Sequence, residues 1–473
     1  MKSDSTPNGL QRKIGPFSLT SIVVANMIGA GIFTTSGLLM QDLRHPWLML
    51  GLWLAGGVIA LCGALSYGEL GAAIPRAGGE YAFLSQLFHP LAGFLSGWVS
   101  FFVGFSAPIA ASAIGFSEYL SRACPSLLLW GVLAPETETV LVKKAIAMLV
   151  IAAFTLIHMR GIDFGTAVQN LLTLLKVGLI VGLITSGFLL GNGDFRHFSQ
   201  GETFRFDFSG WKTIGLSLMW IMFAYSGWNA SAYIGSEVRE PRRNLPRSLL
   251  LGTSVVLLLY ILLNIFYLYA APPAEMAGVI SIGGLAVGNL FGPAFESILS
   301  LLIAFALFSS LSAFIILGPR VYFSMAVDGY FFRFAGEVHP CYGVPHKSIL
   351  MQGGIALVMV LFGTFDQLLT YMGFSLGIFP ILAVLGVFKL RRRGESLTPM
   401  PGFPFVPLFY IVTGVLILGL AFFERPLESG IAVLTVLVGI PVYLVFRRKA
   451  ADRHVAGHAD DMSPGSHPGG KNA

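Results

Sequence analysis

Charge is what this sequence has least of. Asp, Glu, Lys and Arg together make up 11% of the 473 residues, against roughly 25% in globular domains. With 55% hydrophobic residues and a mean hydropathy of +0.75, that scarcity excludes a soluble domain and indicates an integral membrane protein. Cysteine is scarce as well. Cys62, Cys124 and Cys341 lie scattered in or beside apolar segments, with neither disulfide nor metal spacing. No short apolar region with a small-residue cleavage site precedes Ser18, so the first apolar run reads as a span and not as a signal peptide. Clustered Ser/His/Asp sets, His-rich runs and paired carboxylates are missing too, which argues against a membrane enzyme. Histidines such as His89, His158 and His346 fall at span ends or in loops; no metal is assigned to them and no cofactor is expected. The basic residues behind the net charge of +6 cluster at span ends. They read as loop asymmetry and not as affinity for nucleic acid.

What the chain has in abundance is long apolar runs. A span needs about 20 apolar residues, and on that scale there are about twelve. The first lies at approximately 17–40, the sixth at approximately 212–237, and the eighth, the longest, at approximately 294–325. An even number puts both termini on one side, and placing them in the cytoplasm leaves most Lys and Arg on that side, as the positive-inside rule requires. The expected location is therefore the cell (inner) membrane with cytoplasmic termini. The tail from 450 to 473 has too few apolar residues to build a core and reads as disordered.

Two of these runs are interrupted. Asn26-Met27-Ile28-Gly29-Ala30-Gly31-Ile32-Phe33 places two glycines around an alanine halfway through the first span. Glycine loses more entropy in a helix than other residues, so this is where a helix opens. Backbone groups freed there find no water in a bilayer and must be satisfied by neighbouring helices, a wet cavity or a polar ligand. A second interruption, Phe223-Ala224-Tyr225-Ser226-Gly227-Trp228-Asn229, sits five spans later. Broken spans at corresponding positions of two halves point to a transporter binding site, a rule borrowed from known transporters, those of the LeuT type among them. Free amides on the half-helix starting near Ile32 favour a carboxylate. Carbonyls left at Met27, Ile28, Phe223 and Ser226 suit an ammonium group. A zwitterionic amino acid offers one group to each end. The competing reading is that the glycines only allow close helix packing.

Ile28-Gly29-Ala30-Gly31-Ile32-Phe33 resembles the first-helix signature of the amino acid–polyamine–organocation (APC) superfamily. Ser66 to Tyr81 is similar to its second-helix and loop motif, and Phe223 to Asn229 with the following Pro-Arg-Arg-Asn-Leu-Pro run resembles its sixth-helix region. The likeness covers roughly residues 14–390 and is greatest to the L-type (LAT-like) amino acid transporter branch. It implies an all-α membrane fold of about 12 helices. These form a LeuT-type 5+5 inverted repeat plus two extra helices: repeats over 14–192 and 207–390, and the extra pair over 404–447. It also implies that amides around Ala30, Gly31 and Ile32 hold the carboxylate, with Gly29 of the same break among the binding residues. Carbonyls at Met27, Phe223 and Ser226 would hold the amine, with Tyr225 at the same break and Phe223 as an aromatic gate.

Lys176 lies nine residues past Ala167, about 14 Å along a helix, where a lysine costs about 2.5–3.5 kcal/mol to insert. Either its stem snorkels to the interface, or, as the resemblance implies, its ammonium fills the space taken by sodium in sodium-coupled relatives. Carbonyls near Gly29 and hydroxyls among Ser309, Ser310 and Ser312 would be its partners. Ser226 stands where some carriers of cationic amino acids have an acid, and no carboxylate is evident in the centre of neighbouring spans, which favours neutral substrates. Glu69 and Glu237 read as inner-gate groups or as interfacial salt bridges. Tyr260, Asn264 and Tyr267 on the seventh span either face the pocket or pack as ordinary membrane side chains. The expected function is sodium-independent transport of neutral L-amino acids by exchange or proton symport. Sodium symport and a transport-inactive amino acid sensor with the same pocket are the alternatives. The partners expected are the amino acid and the bilayer, with no nucleic acid and with any partner subunit left open.

Overall fold

Proline opens most of the long helices. Pro16, Pro46, Pro90, Pro241 and Pro426 each stand in a first turn, where a missing N–H loses no hydrogen bond. The computed structural model describes residues 10–124, 135–279, 281–292, 294–362, 365–424 and 426–461. Within them 81% of the chain is helical and there are no strands.

The first span is two helices, α1 (Pro16–Met27) and α2 (Ala30–Leu43), separated by an extended Ile28-Gly29 joint. Next come α3 (Pro46–Ala73) and the short α4 (Glu80–Leu87). Helix α5 (Pro90–Val99) runs through a π-helical turn, Ser100–Ser106, into α6 (Ala107–Ala123). Helices α7 (Pro135–Met159) and α8 (Ile162–Leu190) form a hairpin. Helix α9 (Phe208–Ala224) stops at the second interruption, and the chain continues as two 3-10 turns, Ala230–Tyr233 and Gly235–Glu237. Then follow α10 (Pro241–Ala270), the short α11 (Pro273–Met276) and α12 (Ile282–Phe291), the long α13 (Ala294–Val327), α14 (His346–Phe362), α15 (Phe365–Arg392), α16 (Phe405–Glu424) and α17 (Pro426–Asp461).

Nine helices among the described residues are long and apolar enough to cross a membrane, counting α1–α2 and α5–α6 as one each. Helices α9 and α14, of 17 residues each, and α15 occupy the positions of the other expected spans. Burial sorts the nine. The apolar windows of α1–α2, α5–α6 and α13 are 78%, 83% and 72% buried, whereas those of α7, α8, α16 and α17 are 22–28% buried. The broken first span is therefore central, and the second set faces outward with side chains such as Leu149, Leu174 and Val415 exposed. Lipid tails are as apolar as leucine, so close packing must hold such helices together. Small residues provide it. A Cβ at Gly31 would lie 2.8 Å from the Cα of Ala224, and one at Gly252 would lie 2.6 Å from Val23.

Two details depart from the sequence reading. The second half of the first span starts at Ala30, not near Ile32, because Gly29 (φ −122, ψ −155) caps it and helical dihedrals resume at once. Helix α17 continues through Asp461 past the expected disordered tail at 450, since extending a helix is far easier than nucleating one; residues 462–473 lie outside the described residues. Helices α11 and α12 connect α10 to α13.

Candidate functional site

The joint between α1 and α2 exists because the helix ladder cannot continue through it. The Ile28 amide still bonds back to Val24 O at 3.0 Å, but Ile28 and Gly29 are both extended. The first-turn amides at Ala30, Gly31 and Ile32 then have no carbonyl of their own helix to bond. At the other interruption, Gly227 takes φ +100, a left-handed conformation that favours glycine. A Cβ there would also collide with Asn26. The two joints are thus packed against each other at Gly31–Ala224 and at Asn26–Gly227.

A cavity of about 170 Å³ opens beside them. Met27, Gly29, Ala30 and Gly31 line it from the first joint, and Phe223 and Ser226 from the second. Its further walls are the π-helical turn (Ser100, Gly104, Phe105), Phe379 to Ile381 of α15, and Tyr410 of α16. The sequence reading missed that turn. A π segment exposes an extra residue per turn and is frequent at functional sites, yet nothing in Ser100–Ser106 signals it.

Each expected site residue has a definite place. Ile28 and Ile32 are buried and outside the cavity lining. Ile28 O already accepts from Ser310 Oγ at 2.7 Å and from Lys176 Nζ, so this carbonyl is removed from the set facing an ammonium. Tyr225 is removed too. Its ring packs on Trp53 and Tyr260, and its hydroxyl donates to Trp53 O at 3.2 Å. Phe223 is half-buried in the cavity wall, and its carbonyl accepts from the Ser226 amide at 3.0 Å. Tyr260, left open by the sequence, stands between the two joints. Its hydroxyl lies 2.7 Å from Met27 O and 2.9 Å from Ala224 O. One donor thus serves a freed carbonyl of each broken helix, and each carbonyl keeps a second lone pair. Asn264 is engaged elsewhere, with Ser36 at 2.6 Å, and Tyr267 reaches Ile32 O at 3.5 Å.

Lys176 is 2% exposed and does not snorkel. Its ammonium reaches Ala25 O at 3.2 Å, Ser310 Oγ at 2.8 Å and Ile28 O. Three acceptors meet three hydrogens, and the lysine ties α8 to α1 and α13. Of the three serines considered, only Ser310 touches it. Ser309 bonds Gln169 and Thr173, and Ser312 bonds the buried His158 at 2.9 Å. The alternation of the α13 face explains the split: three successive or near-successive positions of a helix cannot all point one way.

The acidic residues give two ion pairs and one correction. Glu237 pairs with Arg320 of α13 at 2.7 Å, with side chains 0% and 1% exposed. That is a buried pair and not an interfacial one. Glu69 is held by Arg391 at 2.7 Å, Ser396 and the Met400 amide, pinning α3 to the last turn of α15 and the segment after it. The correction concerns Glu80. The sequence placed it in a loop and found no central carboxylate, but the turn at Gly78 and Gly79, both of positive φ, folds it back into the cavity wall. It is 3% exposed and accepts from Tyr67 Oη at 2.8 Å, Asn229 Nδ2 at 2.6 Å and Tyr233 Oη. No group of three metal-ligating side chains is found among the described residues.

The amino acid permease family model matches residues 14–445. The serine/threonine exchanger SteT of Bacillus subtilis (strain 168) is 29% identical over 453 residues, covering 94% of this chain and 99% of its own. Asc-type amino acid transporter 1 of Mus musculus is 28% identical over 444 residues, covering 92% and 81%. The large neutral amino acids transporter small subunit 2 of Mus musculus is 26% identical over 439 residues, again covering 92% and 81%.

Proposed function

This chain belongs to the amino acid permease family, a family of transporters and not of enzymes, and from that premise we propose that it exchanges neutral L-amino acids across the cell membrane without sodium. The observation that carries the proposal is the pair of interrupted helices whose bare main chain lines one cavity. The α2 first turn offers amides to a carboxylate. The carbonyls of Met27, Phe223 and Ser226 receive the ammonium. Each such charge-assisted bond contributes about 1.5–3 kcal/mol, so a molecule lacking either end is rejected. Alternating access follows from rocking of the two expected repeats, 14–192 and 207–390, about the joints, with both termini in the cytoplasm.

Exchange is favoured over cation coupling by Lys176. With all three ammonium hydrogens bonded, it acts as a fixed charge where a sodium ion would otherwise bridge the first and eighth spans. Neutral cargo is favoured because Ser226 is not acidic and Glu80 is engaged by three donors of the protein itself. SteT and its relatives carry amino acids by name, which supports the same substrate class here.

The test is counterflow in proteoliposomes. Uptake of a radiolabelled neutral amino acid should rise on preloading with unlabelled substrate and be equal in sodium and choline media. Uptake into empty vesicles driven only by a sodium gradient contradicts the proposal. Binding without counterflow would make the chain a sensor.

A further inference from the structure

Many cations at the span ends have a carboxylate beside them. Arg44 pairs with Glu202, Arg76 with Asp328, Lys212 with Glu424 and Lys347 with Glu337. The end of the molecule where α1 and α10 begin is different. There the segment ahead of α1 lies against the segment ahead of α10. The Ile14 amide donates to Glu237 O and the Arg239 amide to Ile14 O, both at 3.0 Å. That pairing gathers six exposed basic side chains: Arg12, Lys13, Arg239, Arg242, Arg243 and Arg247. Two acids accompany them, Asp163 at 2.7 Å from Lys13 and Glu240 at 3.8 Å from Arg243. Arg12, Arg239, Arg242 and Arg247 have no carboxylate partner among the described residues.

The positive-inside bias explains basic residues at this end, but not what lies next to them. Arg243, Arg247, Leu251 and Val255 are spaced four apart in α10 and share one face, which Leu258 continues. All five are exposed. The face therefore passes from guanidinium groups to branched aliphatic side chains. Helix α1 runs alongside, with Val23 against Gly252, and Phe17 in its first turn is exposed as well. A phospholipid has its parts in the same order, phosphate first and acyl chains after.

We propose that this end of α1 and α10 binds an anionic phospholipid, whose phosphate meets Arg243, Arg247 and the unpaired guanidinium groups around them while its acyl chains lie along Leu251, Val255 and Leu258. Four to eight basic residues just beyond a membrane helix attract anionic headgroups. Guanidinium suits a phosphate because it can donate two parallel hydrogen bonds. The bound lipid bridges the chain ahead of the first broken span and the chain after the second. Each basic group near an anionic lipid surface contributes about fivefold in affinity, so removing two weakens binding about 25-fold.

The test titrates the purified, delipidated protein in a neutral detergent with phosphatidylglycerol. It follows the unfolding temperature and, by mass spectrometry, the lipid that stays bound. Phosphatidylglycerol should raise the unfolding temperature and remain bound, whereas phosphatidylcholine and inorganic phosphate should do neither. Salt at about 0.5 M should weaken the effect by screening. Arg243→Gln with Arg247→Gln should need about 25-fold more phosphatidylglycerol for the same shift; Arg242→Gln with Arg247→Gln serves if that form does not assemble. Arg392→Gln with Arg393→Gln, which removes two exposed cations at the end of α15, should match the wild type. An equal response of the wild type to phosphatidylcholine overturns the proposal, and so does an equal response to inorganic phosphate, which would make the patch a plain anion site. Equal weakening by the α10 and α15 substitutions overturns it too, since only the overall positive surface would then act. None of these readouts involves transport, so their failure leaves the exchange reading standing.

Discussion

Replacing Lys176 by methionine removes the ammonium while keeping a stem of similar length. Two backbone carbonyls, Ala25 O and Ile28 O, then lose a charged donor, although Ile28 O retains the Ser310 hydroxyl at 2.7 Å. A buried acceptor left short costs about 1–3 kcal/mol, and since Ile28 O keeps its hydroxyl donor the loss across the joint is about 1–3 kcal/mol. Against this, the membrane no longer has to accommodate a charge that costs about 2.5–3.5 kcal/mol to insert. The two figures nearly cancel in overall stability but not at the joint, where only the loss is felt. Lys176→Met is therefore expected to unfold in detergent at a temperature close to wild type, while counterflow falls by about 30-fold or more, the kinetic equivalent of about 2 kcal/mol. Thermal unfolding of the purified protein and initial-rate counterflow in proteoliposomes read the two quantities separately. Wild-type exchange by Lys176→Met in sodium-free medium refutes the fixed-charge role.

Gly31→Val should abolish amino acid binding. The added side chain meets Ala224 at 2.8 Å and pushes the joints apart, whereas Gly29→Ala, whose nearest neighbour is Ser310 Oγ at 3.8 Å, should bind nearly as well as wild type in scintillation proximity measurements. Glu237→Ala leaves Arg320 charged and buried, and should destabilise by about 3–5 kcal/mol. Removing both charges in Glu237→Leu with Arg320→Met should recover most of the melting temperature in a thermal shift assay. Recovery of transport as well would exclude a gating role for the pair.

Much of this arrangement was legible before any coordinates. The first joint is written as Gly29-Ala30-Gly31, since two glycines and an apolar context leave few other meanings, and Lys176 is conspicuous as a charge deep within an apolar run. What escaped had tertiary causes. Tyr260 looks like any membrane aromatic until the joints meet beneath its hydroxyl. Glu80 reads as a loop residue because the fold-back at Gly78-Gly79 depends on backbone angles, not on side-chain pattern. Tyr225 misled for the opposite reason: adjacency in sequence to Phe223 and Ser226 placed it at the site, but the turn aims it at Trp53. The roles of Ser309, Ser310 and Ser312 separated only once the rotation of α13 was known.

The central claim is that main chain at the two joints grips both ends of a zwitterion. Its most direct test is competition by one transported amino acid against its N-acetyl and methyl ester derivatives, which remove the ammonium and the carboxylate in turn. Each charge-assisted contact is worth about 1.5–3 kcal/mol, so each derivative should bind about ten- to a hundredfold more weakly. Derivatives that compete as well as the parent amino acid would contradict the account.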